Sequence, residues 1–189
     1  MPCFRGAYHV PLVVRWPEGI AAPGRTVDDF VSHADMAPTL LEAAGIEAGR
    51  EFTGSSLMPF IRNKRPDEWR DMLFTQTNGN ELYGIQRAAF DRDWKMVYNG
   101  FDYDELYDLK NDPHETRNVV DDPANREVVS RMMRRIWQFA HETGDKCINP
   151  YIMVRFAQYG PAHAFRRDEA RTGEAKGREE LIPAARRDC

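Results

Sequence analysis

The chain has 189 residues, of which 42% are hydrophobic and 30% charged, with a formal net charge of -4. That length suits one domain, or part of one with a smaller second unit, and the acidic balance offers no basic footprint for nucleic acid. The longest apolar runs fall far short of a membrane span, and the opening MPCFRGAY lacks the charged start and apolar stretch of a signal peptide.

Val10 to Val14 is a short continuous apolar run closed by Trp16-Pro17. It reads as a strand buried on both faces, as in a parallel sheet. Glu18 to Arg25 holds two glycines and a proline and reads as a loop. Ser32 and Asp35 are N-cap candidates for a helix whose Met36, Ala37, Leu40, Leu41 and Ala44 share one face, with Gly45 as its stop. Strand, loop and one-faced helix make the closing unit of an α/β layer. Such a unit cannot bury its strand alone, so more sheet is expected upstream of Met1, and without it the strand should lie exposed at an edge.

Leu57, Met58, Phe60 and Ile61 around Pro59 form an apolar patch, read as a short helix or turn. The charged stretch Asn63 to Arg70 marks a boundary. Beyond it, Asp71 to Thr77, Tyr83 to Phe90, Trp94 to Tyr98 and Asp104 to Asp108 are β-prone runs separated by turn residues, which predicts an antiparallel meander. Asp122 as N-cap and Pro123 at the first helical position open a helix ending near Thr143-Gly144. Its Val128, Val129, Met132, Met133, Ile136, Trp137, Phe139 and Ala140 give a broad apolar face for the meander. Tyr151 to Phe156 reads as another strand. The charged stretch from Arg166 to Cys189 reads as disordered or as a marginal helix.

Several of these segments resemble the C-terminal third of arylsulfatase-type sulfatases, in the alkaline-phosphatase-like superfamily. They are HVPLVVRWP from His9, Pro23-Gly24, SHADMAPTLLEAAG from Ser32, GSSL from Gly54 and DELYDLKNDPHE from Asp104. The resemblance covers about Val10 to Phe165. It implies the end of a catalytic α/β domain over residues 1–62, then an antiparallel sheet packed on a helix over 63–165, then a tail over 166–189. It also implies hydrolysis of sulfate esters, with a sulfated small molecule or glycan as substrate.

Members of that family use a formylglycine made from a cysteine or serine in Cys/Ser-x-Pro/Ala-x-Arg, and a calcium ion held by aspartates and an asparagine. No such pentapeptide occurs here. Cys3, Cys147 and Cys189 are widely spaced without C-x-x-C and read as incidental thiols. Asp28-Asp29 reads as a solvated pair before the helix rather than a metal site. The expectation is a truncated sulfatase, inactive alone, with no catalytic residue and no metal ligand of its own.

Within this frame the C-terminal subdomain leans over the active-site mouth. Asn78, Asn80 and Tyr83 in the loop Thr77 to Tyr83 suit hydrogen bonding to sugar hydroxyls or sulfate. The same Asn-Gly pair equally suits a plain hairpin turn. Lys95 is a candidate for an anionic substrate or a solvent-facing strand residue, and His33 for a cleft residue or a packing histidine. Two other readings remain open: a phosphodiesterase or phosphonate hydrolase of the same superfamily, and a non-catalytic module binding anionic glycans or a partner protein.

Overall fold

The computed structural model describes residues 5–78, 85–100, 102–145 and 159–160. Its centre is a four-stranded antiparallel meander in the order β1-β2-β3-β4: Leu73–Thr77, Gln86–Phe90, Trp94–Asn99 and Glu105–Asp108. The register places Ala89 opposite both Phe74 and Met96, and Met96 opposite Leu106. These four share one face. The β2–β3 turn is closed by Asp91, whose Oδ1 accepts from the backbone N–H groups of Asp93 and Trp94.

Helix α4, Arg126–Glu142, lies across that face. A 3-10 turn, Pro123–Asn125, leads into it. Asp122 caps this turn by accepting from the Ala124 N–H, and Pro123 sits where no N–H is needed. Gly144, at φ 62°, follows its end. Val129, Met132, Met133, Ile136, Trp137 and Ala140 recur at helical spacing and are all buried. Each large apolar side chain buried there contributes about 1.5–3 kcal/mol. The Trp137 ring meets Tyr98 edge-on at 4.9 Å, and Phe139 stacks on Phe74 at 4.2 Å.

The N-terminal half opens with the single-turn helix α1, Arg5–Tyr8, and attaches through polar clamps. Ser32 and Asp35 form a capping box around the 3-10 turn His33–Asp35, which runs into α2, Met36–Ala43. Asp35 is fully buried. Its carboxylate accepts from the Ser32 and Ser55 N–H groups and takes both guanidinium arms of Arg70. Thr39 accepts from the Leu57 N–H and so docks α3, Met58–Ile61. Trp69 Nε1 donates to the Phe30 carbonyl, and Phe30 meets Phe90 of β2 edge-on.

Val10 to Val14 is exposed, as expected for this run without a neighbouring sheet, but the reading of it as a strand is corrected. It forms no strand, and Val13 is 87% exposed. A strand needs a neighbour to take its N–H and C=O groups, and this segment is not among the strands of the meander. The reading of Tyr151 to Phe156 as a strand and of the stretch from Arg166 as a tail falls outside the described residues. Among the described residues no helix is long and apolar enough to cross a membrane.

Candidate functional site

Alternate strands of a meander turn at opposite ends. The β1–β2 loop and the β3–β4 turn therefore share one end of the sheet, and Gly100 N–H to Ile85 O at 2.9 Å ties them together. Arg87 organises this end. It points to the α4 face beside Tyr98 and is only 3% exposed. Its guanidinium grips Asp145, just past α4, at 2.5 and 2.9 Å. It also donates to the carbonyls of Thr77 and Gln86, the two stems of the β1–β2 loop. The same Nη2 that reaches Asp145 Oδ1 also donates to Asn78 Oδ1 at 3.0 Å.

At the neighbouring turn, Asn99 Nδ2 donates to the Tyr103 carbonyl at 2.7 Å, and the Asn99 N–H donates to Asp104 Oδ1. Burial pushes the Asp104 carboxyl up to about 6; the Asn99 N–H opposes this and the Glu105 charge adds to it. Burial likewise raises the Tyr98 and Tyr107 hydroxyls, and Tyr107 is raised further by its hydrogen bond to Glu105.

Of the sequence candidates, Asn78 lies exposed at this end. Asn80 and Tyr83 fall outside the described residues. His33 is exposed on the 3-10 turn before α2, on a different element from Asn78. Lys95 requires a correction. It neither meets solvent nor aims at an open cleft: it is 3% exposed, and its ammonium sits 2.6 Å from Glu115 Oε2. The sheet face opposite α4 is covered, so a cation there is matched internally, with the Tyr107 ring 5.6 Å away. Arg87, Asp145 and Glu115 were not among the sequence candidates. Asp145 is 58 residues from Arg87 and Glu115 is 20 from Lys95, so no local pattern links either pair.

Among the described residues no group of three or more His, Cys, Asp or Glu stands together to hold a metal ion. Asp29 instead pairs with Arg65 at 2.8 Å.

Residues 3–142 match the family described as N-sulphoglucosamine sulphohydrolase, C-terminal. The chain belongs to that family. Its sequence is 30% identical over 145 residues to the N-acetylglucosamine-6-O-sulfatase of Bacteroides thetaiotaomicron, covering 71% of this chain and 24% of that protein. It is 34% identical over 126 residues to the choline-sulfatase of Rhizobium meliloti, covering 65% of this chain and 23% of that protein. The chain thus spans about a quarter of the length of these sulfatases. Among solved structures it resembles one in complex with its substrate D-glucosamine-2-N,6-O-disulfate, with TM-score 0.63, 26% identity, and coverage of 71% and 29% of the two chains. It also resembles the phosphonate monoester hydrolase of Agrobacterium radiobacter, with TM-score 0.60, 25% identity, and coverage of 66% and 28%. The sulphohydrolase C-terminal fold is the small antiparallel sheet with its helix, within the alkaline-phosphatase-like superfamily.

Proposed function

We propose that these residues act as the C-terminal portion of a sulfuric-ester hydrolase and contribute its substrate-facing surface rather than its bond-breaking groups. The match of residues 3–142 to the sulphohydrolase C-terminal family carries this reading. In it, the nucleophile and the calcium ion belong to polypeptide outside these residues, and the chain alone turns nothing over. The exposed apolar run Val10 to Val14 then completes a sheet of the catalytic domain. Removing a β-branched run of this kind from water is favourable only when its backbone groups are paired at the same time.

The substrate class in this reading is a sulfated amino sugar or its glycan, as for the N-acetylglucosamine-6-O-sulfatase and for the protein solved with a glucosamine disulfate. Phosphonate monoesters are the second reading, supported by the similarity to the Agrobacterium radiobacter hydrolase. The test is to express the whole open reading frame that contains these residues. Sulfate release from 4-nitrophenyl sulfate and N-acetylglucosamine 6-sulfate is then compared with cleavage of a 4-nitrophenyl phosphonate monoester. Preference for the sulfate esters is expected. Preference for the phosphonate selects the second reading, and activity on neither overturns both.

A further inference from the structure

A guanidinium group can only donate hydrogen bonds. Because Arg87 Nη2 points at Asn78 at 3.0 Å, the carbonyl oxygen of the Asn78 amide is the atom that faces it. The amide Nδ2 is thereby turned away, on an exposed residue, with no hydrogen-bond acceptor among the described residues. Arg87 itself is held on three sides: by Asp145, by the Thr77 carbonyl and by the Gln86 carbonyl. Its position is therefore fixed before any ligand arrives.

We propose that Arg87 is a positioning residue that locks the Asn78 amide in one orientation, presenting its NH2 as a fixed donor to a sulfated sugar at this end of the sheet. The inference rests on the sulfuric-ester reading and deepens it. A preset neutral donor suits a sulfate or hydroxyl oxygen, since no side-chain entropy has to be spent in turning the amide. The arginine charge is balanced by Asp145, so recognition here runs through the amide and not through the cation. Asp145 sits at the far end of α4, so the orientation of the loop donor depends on how the helix end is seated.

The substitution that separates folding from recognition is Asn78→Asp. It keeps an oxygen for Arg87 and adds charge to that hydrogen bond, while replacing the outward NH2 with a carboxylate oxygen that repels sulfate. The probe is N-acetylglucosamine 6-sulfate, titrated into the full 189-residue chain and followed by 15N-resolved NMR, with the melting temperature measured in parallel. In the wild type the Asn78 side-chain amide signals should shift with ligand. In Asn78→Asp the melting temperature should hold or rise, while affinity falls about tenfold or more. Arg87→Lys keeps the charge but not the fork, so the Asn78 amide should lose its single set of signals and affinity should fall. An Asn78 amide that stays unmoved by ligand in the wild type overturns the inference, as does unchanged affinity in Asn78→Asp. The sulfuric-ester reading fails separately, through absence of sulfate release by the product of the whole reading frame.

Discussion

Replacing Glu115 with leucine should remove a buried counter-charge from Lys95. Lys95 enters the sheet face opposite α4 with its side chain 4% exposed, and the Glu115 side chain that meets it is 2% exposed. Solvent screening is therefore slight, and the surface-pair value does not apply. Removing one member of such a pair leaves the other charged and desolvated, at a cost of about 3–5 kcal/mol. In a chain of this size that is roughly 10 °C or more in melting temperature. Glu115→Gln keeps an acceptor for the ammonium and should cost less, about 1–3 kcal/mol. Glu115 also holds a left-handed backbone at φ 57°. Glu115→Gly should recover about 1–2 kcal/mol of that strain and still be destabilised overall, because the pair is gone. The double variant Lys95→Met with Glu115→Leu removes both charges and should return most of the loss. Urea and thermal unfolding followed by circular dichroism read all four proteins. A loss below about 1 kcal/mol for Glu115→Leu would refute the buried-pair reasoning.

Asp35→Ala leaves Arg70 and the Ser32 and Ser55 N–H groups without their shared acceptor, and should cost about 3–5 kcal/mol by urea denaturation. Gly54→Ala would place a Cβ 2.1 Å from the Ala34 carbonyl oxygen, so residues 54–57 must shift off the 3-10 turn; a loss of about 1–3 kcal/mol is expected. Trp137→Ala empties the contact with Tyr98 and should cost about 3–5 kcal/mol, with loss of near-ultraviolet circular dichroism. Asp104 sets a pH dependence. Its folded pKa, about 6, lies above its unfolded value of 3.8, so the folded state holds the proton more tightly. Its contribution is fully present below about 4, is lost as pH rises toward 6, and amounts to a few kcal/mol at most. Asp104→Asn should flatten that slope in a pH series of melting temperatures.

The meander and α4 were legible because their signals are local. Asp122-Pro123 fixes a helix start, turn residues separate the strands, and α4 alternates at 3.6 residues because one face meets the sheet. The start of α2 was legible in the same way, through Ser32 and Asp35, though not the 3-10 turn that leads into it. Val10 to Val14 was legible in its exposure without a neighbouring sheet but not in its unpaired backbone, since apolar β-branched residues report a preference for burial and not whether a partner strand is at hand. Lys95 was misread for a related reason. Period-two alternation assigns it to a face, but whether that face is wet depends on where the loop carrying Glu115 passes. Arg87 escaped notice because its partners include Asp145, Asn78 and the Thr77 carbonyl, and only the fold brings these together.

The central claim is that this chain supplies a substrate-facing surface and not the chemistry of sulfate-ester cleavage. The most direct test puts both halves in one sample. Purified residues 1–189 are given N-acetylglucosamine 6-sulfate and calcium, binding is followed at the Asn78 amide, and free sulfate is measured over the same hours. Binding without sulfate release above the buffer rate is the result this account predicts. Calcium-dependent sulfate release would contradict it, because the nucleophile and cation site would then have to lie within these residues.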